Sequence, residues 1–186
     1  MALREEHVAW MATSKAEDLV FMDESCITTN MTPSHGYGPR GKPVVGKVPH
    51  RRGANTTVLG AMDCLGLLMF MTIDAATDKQ IFLMFLRELL PMIPGKTLVM
   101  DNLRAHHAKE VHALCEAHNV TIKYVPPYSP EFNPIEQAWF WFKDRLRKAG
   151  VRTRAALDAK AEEIFPEMPA AHARGWFKLA GHAVAQ

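Results

Sequence analysis

Lys96-Thr-Leu-Val-Met-Asp101 is a short apolar run that ends in a carboxylate. It is too short for a buried helix and reads as a strand covered on both faces. Upstream, Thr77 opens a helical stretch that runs to about Leu90, where Pro91 and Pro94 stop it. Downstream, His106 to His118 places His107, Val111, Leu114, Cys115 and His118 on one helical face, and Asn119 ends that helix. Val120 to Val125 is the next strand. Strands separated by helices lie parallel to a neighbour through right-handed crossovers. This central unit therefore predicts a sheet with helices packed against it.

Working outward, Leu19-Val-Phe-Met-Asp23 is a second short apolar run with an acid at its end. Residues 30–56 are rich in Pro, Gly and basic side chains and read as a long irregular excursion. Thr56 to Met62 and Leu67 to Ile73 form a hairpin across Asp63-Cys-Leu-Gly66. After Pro126, Pro127 and Pro130, a long helix runs from about Pro134 to Ala149 and stops at Gly150. From Thr153 the chain reads as two more helices around Pro166 and Pro169. The expected fold is α/β: a mixed five-stranded sheet with helices on both faces, plus a C-terminal helical tail. The expected boundaries are a lead-in over 1–17, a main domain over 18–150 and a helical extension over 151–186.

Composition narrows the classes. With 186 residues, 48% hydrophobic and 23% charged, the chain matches a globular domain and excludes wholesale disorder. No apolar run approaches the roughly 20 residues of a spanning helix, and no secretory leader opens the chain. Three scattered cysteines, Cys26, Cys64 and Cys115, argue against a disulfide framework and for a reducing, cytoplasmic setting. The net charge of +2 hides two basic segments. Residues 31–60 carry Arg40, Lys42, Lys47, Arg51 and Arg52 with no acid, and residues 143–154 include Lys143 and Arg147. Such segments on a near-neutral chain point to a polyanion partner; a solvated loop and helix face are the alternative.

Three acids stand out. Asp23 and Asp101 each follow an apolar strand, and ligands of open sheets gather at strand ends. Two carboxylates there repel unless a cation lies between them, and Mg²⁺ prefers such hard oxygens. A lone Asp after a strand is more often a turn starter. Glu136 begins the long helix in Asn133-Pro-Ile-Glu136, where it also reads as part of a capping box. On that helix Ile135, Trp139, Phe142 and Leu146 form an apolar stripe, with Glu136, Lys143 and Arg147 on a neighbouring face. Asn102, His106 and His107 follow Asp101 closely and are expected to line the site. No further His or Cys stands at zinc-ligand spacing. Phosphate-binding-loop, dinucleotide and α/β-hydrolase motifs are absent from the sequence.

Four stretches carry a family resemblance: Val20-Phe-Met-Asp-Glu-Ser25, Tyr37-Gly-Pro-Arg-Gly41, Met100-Asp-Asn-Leu-Arg-Ala-His-His107 and Pro126-Pro-Tyr-Ser-Pro-Glu-Phe-Asn-Pro-Ile-Glu-Gln137. Over about residues 18–149 the chain resembles the catalytic domain of Tc/mariner-type transposases, most closely their bacterial insertion-sequence branch. The 34 residues between Asp101 and Glu136 are typical of that superfamily. The resemblance implies a ribonuclease-H-like fold and an Asp-Asp-Glu metal triad of Asp23, Asp101 and Glu136. It implies two Mg²⁺ ions per site, with Mn²⁺ as a substitute.

The activity so implied is cleavage at transposon ends followed by 3′-hydroxyl strand transfer into target DNA at a TA dinucleotide. Arg40, Lys42, Lys47, Arg51, Arg52, Lys143 and Arg147 would hold DNA phosphates. Family members carry helix-turn-helix modules ahead of this domain, whereas 22 residues precede Asp23 here. The expectation is therefore a catalytic fragment, or a chain served by a separately encoded DNA-binding subunit. A homo-oligomer in the active complex and work at the bacterial nucleoid, away from membranes, complete the picture. The rival readings are a stand-alone metal-dependent nuclease and an inactive DNA-binding remnant.

Overall fold

The computed structural model describes residues 2–50 and 53–184. Five strands form one mixed sheet: β1 (Leu19–Thr28), β2 (Asn55–Asp63), β3 (Gly66–Ile73), β4 (Thr97–Met100) and β5 (Thr121–Tyr124). Their order across the sheet is β3-β2-β1-β4-β5. The β1–β2 and β2–β3 pairs are antiparallel, while β1–β4 and β4–β5 are parallel. Six α-helices lie among the described residues: α1 (Ala2–Thr13), α2 (Lys79–Leu89), α3 (Lys109–Ala117), α4 (Ile135–Ala149), α5 (Arg154–Ile164) and α6 (Ala170–Leu179). None is long and apolar enough to cross a membrane.

The alternation of side chains along a strand builds two cores. Leu19 and Phe21 of β1, with Val99 of β4, belong to a core shared with α4, α5 and α6. Val20 and Met22, with Leu98 and Met100, belong to the opposite core with α2 and α3. In the first core Phe165 stacks on Phe142 (3.9 Å between ring centroids) and on Phe70 (4.2 Å). Truncating a ring in such a stack costs about 3–5 kcal/mol. The segment after Gly150 thus contributes its apolar side chains to the same core as the strands.

Three local features differ from the sequence reading. First, β1 is longer than expected, because β2 pairs with it as far as Thr28 and carries it past the end of β4. Asp23 is consequently a mid-strand residue at the point where β4 has ended. Second, Ala2–Thr13 is helical although its pattern is weak: only His7 and Met11, one turn apart, are buried. Third, the stretch expected to be one helix from His106 is a 3-10 turn over Arg104–His107 followed by α3. The other helix ends lie within a residue or two of where the residues place them, with Asp78 instead of Thr77 opening α2. Asp78 caps α2 by accepting from the Ile81 N–H at 2.9 Å. Gly150 closes α4 in the left-handed conformation, φ 61°.

Candidate active site

The register of the sheet places the first two acids together. Phe21 of β1 pairs with Val99 of β4, so two further steps bring Asp101 beside Asp23. Both follow odd-numbered core residues, which turns both toward the α4 face of the sheet. The first turn of α4 supplies Glu136. Asp23, Asp101 and Glu136 all line one cleft of about 400 Å³.

Each acid is held by different neighbours. The Asp23 carboxylate accepts a hydrogen bond from the Trp139 indole N–H at 3.0 Å. Trp139 lies one turn beyond Glu136, so a single helix delivers one acid and the donor that holds another. The indole gets this close because the residue paired with Asp23 on β2 is Gly60. A β-carbon there would sit 2.6 Å from the Trp139 ring. Burial, together with the negative charges of Glu136 and Asp101, raises the Asp23 carboxyl from its ordinary value of 3.8 to about 7.

Asp101 is held from behind. Its Oδ1 accepts from the Leu103 N–H at 3.2 Å and lies 2.8 Å from Nδ1 of His106. His106 is buried and stacked on Phe82 at 4.3 Å. Burial opposes its protonation, but the hydrogen bond and charge of Asp101 prevail and raise its pKa. His106 therefore supports Asp101 instead of lining the cleft, which corrects the sequence expectation. His107 also lies outside the lining: it bonds the Asn102 side chain and stacks on Tyr124 at 4.2 Å. Asn102 does line the cleft.

The capping-box reading of Glu136 has no counterpart. Pro134 occupies the cap position of α4 with no side-chain cap bond, and the Glu136 N–H reaches the Asn133 carbonyl at 3.2 Å. The proline-rich approach ends in its own 3-10 turn, Pro130–Phe132, which leaves Glu136 exposed on the cleft. Asn133 lines the same cleft; its side-chain oxygen is buried and has no partner.

Among the described residues no three His, Cys, Asp or Glu side chains already converge as a ready-made cation site. The chemistry of the donors nevertheless fits a hard divalent cation. The lining offers three carboxylates and an unpartnered amide oxygen, and an Asp23 carboxyl that resists ionising beside its acidic neighbours. Neither imidazole near Asp101 lines the cleft, so among the described residues the lining is made of oxygen donors.

The basic residues divide. Lys143 is partly buried close to Glu136 and Asp23; burial lowers its pKa while those acids pull it upward. Arg147 follows one turn later on α4. Arg40, Lys42 and Lys47 are exposed in the excursion between β1 and β2 and line no part of the cleft. Arg51 and Arg52 lie outside the described residues. The sequence reading placed Trp139 in the apolar stripe of α4 and took no notice of Gly60. Helical spacing finds the buried face but not which buried ring donates to an acid.

The family described as DDE superfamily endonuclease matches residues 18–158. Among solved structures, the chain is similar to the Mos1 transposase paired-end complex with left transposon end, at 17% identity and TM-score 0.72, over 95% of this chain and 56% of that one. It is similar to the Mos1 mariner paired-end complex with Mn, at 19% identity and TM-score 0.72, over 96% of this chain and 57% of that one. The catalytic domain of Mos1 mariner transposase matches at 15% identity and TM-score 0.67, over 96% of this chain and 85% of that one. At these identities the likeness is one of fold. The chain spans little more than half the length of the Mos1 chains in the DNA complexes. A comparison with curated proteins found no match.

Proposed function

The chain belongs to the DDE superfamily endonucleases, and from that premise we propose that it is the catalytic part of a DNA transposase. The observation that carries this reading is the cleft itself. Three acids from the middle of β1, the end of β4 and the start of α4 line one cavity on one side of the sheet. Asp23, Asp101 and Glu136 would hold Mg²⁺, or Mn²⁺ in its place, as two ions. Bound there, the cations would supply Lewis acidity and a nucleophile from water at neutral pH.

The chain's own residues do the positioning. Trp139 fixes one oxygen of Asp23, and His106 with the Leu103 N–H fixes one oxygen of Asp101. Lys143 places a positive charge beside the acids where a phosphate backbone arrives, and Arg147 extends it along α4. The exposed Arg40, Lys42 and Lys47, with Arg51 and Arg52, hold more distant phosphates without reading sequence.

The fold-level relatives include transposases in complexes with transposon-end DNA, which supports DNA as the partner. Recognition of a particular end would fall to a helix-turn-helix module, on this polypeptide or a separate one. The working complex would be a homo-oligomer at the bacterial nucleoid.

The test is plasmid nicking and end-joining with Mg²⁺ or Mn²⁺, supplied with an end-binding module if activity requires one. The wild type should give both nicked and joined products, and Asp101→Asn should give neither. Nicking without joining in any DNA context would reduce the activity to that of a nuclease. Equal activity of the Asn variant would remove Asp101 from the site.

A further inference from the structure

Besides its acids, the cleft has a lining of a different kind. Leu103 and the run Val125, Pro126, Pro127, Tyr128, Ser129 and Pro130 contribute to it, and among the described residues no Lys or Arg does. This stretch is mostly apolar and carries no cation for a phosphate.

Tyr128 stands out within it. Its side chain is 98% exposed, and among the described residues it makes no hydrogen bond or ring contact. Its backbone is left-handed, φ 55°. The other non-glycine residue in this region is Asn119, φ 57°, at the end of α3, where asparagine is well tolerated. Tyrosine has no such tolerance, and holding it there costs on the order of 1–2 kcal/mol. Prolines at 126, 127 and 130 stiffen the chain around it. A strained backbone that presents a solvent-facing aromatic ring beside three acids is not explained by stability, since the ring packs on nothing. Leu103, in the same lining, is also half exposed.

Resting on the DNA reading above, we infer that Tyr128 is a stacking platform for one unpaired nucleobase at the site of strand cleavage. Its ring takes the face of the base, and the proline wall and Leu103 enclose it. The acids remain free for the adjoining phosphate. Any base has a π-face, so this seat selects an unstacked base over a paired one without choosing its identity. The cleft would thereby favour DNA that is frayed or unpaired where it is cut.

The experiment uses the full chain, Ca²⁺ as a non-cleaving cation, and a duplex whose short unpaired 3′ end carries 2-aminopurine. Stacking on Tyr128 should quench the probe. Tyr128→Gly should abolish the quenching and weaken binding of this DNA by about 5- to 150-fold, the range that base–aromatic stacking supplies. Binding of a fully paired blunt duplex should not change. Tyr128→Trp should keep the quenching. The thermal midpoint of Tyr128→Gly should hold or rise, because glycine relieves the left-handed backbone and the ring has no contacts to lose. Quenching and affinity equal to wild type in the Gly variant would overturn the inference while leaving the DNA reading intact. Failure of the wild type to bind either DNA would overturn both.

Discussion

The Trp139 indole N–H and the absence of a side chain at residue 60 together fix how Asp23 is presented. Trp139→Phe keeps most of the packing against Phe142 and Phe165 but removes the donor. We expect a loss of stability of about 1 kcal/mol and a fall in metal-dependent cleavage of about 10- to 100-fold, the usual cost of losing a group that orients a ligand. Gly60→Ala tests the same contact from the other side. Its methyl group would meet the ring at 2.6 Å, so the indole must move away from Asp23. A destabilisation of about 1–3 kcal/mol is expected, with cleavage reduced as in Trp139→Phe. Chemical denaturation and plasmid nicking measure the two effects. Wild-type nicking by both variants would show that Asp23 needs no such support. At this scale Asp23 and Asp101 stood out in the sequence because each ends an apolar run, and Glu136 because it opens the long helix; the three line one cleft. The sequence hid Trp139 and Gly60, whose roles come from a contact between α4 and β2.

At the scale of elements, α1 is the helix that sequence periodicity missed, and it carries a buried histidine whose protonation opposes folding. It lies against the approach to Glu136. Arg4 pairs with Glu131 and sits over the Phe132 ring, and His7 packs between Trp10 and Phe132, each at 5.1 Å. Both ring nitrogens of His7 are buried without partners. Burial first, then Lys123 and His182, lower its pKa from 6.5 to about 4. The folded protein thus resists a proton that the unfolded chain accepts. His7 leaves stability intact above pH 6.5 and erodes it as pH falls toward 4, by up to roughly 3 kcal/mol. His182, itself lowered by burial, adds in the same direction. The gap in stability between His7→Phe and wild type should therefore shift in favour of the Phe variant as pH falls through this window. Urea denaturation at several pH values checks this, and a gap independent of pH would contradict it. The Glu131–Arg4 pair is exposed and contributes little to the balance.

On the scale of the whole molecule, the order of strands and helices was legible because crossover helices and buried strands have distinct lengths and periods. That β4 and β5 lie parallel to a neighbour was expected from their helical crossovers; that β4 takes β1 as that neighbour was not. What was not legible was long-range. β1 continues to Thr28 only because β2 pairs with it. The helices after Gly150 read as an appendage until their side chains, among them Leu157, Phe165 and Phe177, are seen inside the main core. Phe165→Ala should for that reason destabilise the entire domain by about 3–5 kcal/mol. A single cooperative transition in calorimetry would support this, and separate melting of the tail would contradict it.

The central claim is that Asp23, Asp101 and Glu136 act as one cation site. The most direct measurement is Mn²⁺ binding to the DNA-free chain, followed by electron paramagnetic resonance of the free ion. The wild type should bind Mn²⁺, and Asp23→Asn and Glu136→Gln should each weaken that binding at least about tenfold, the low end of what losing even an outer partner costs. Both variants should retain the wild-type fold by circular dichroism. Mn²⁺ affinity unchanged by either substitution would show that the three carboxylates share a cleft without sharing a metal.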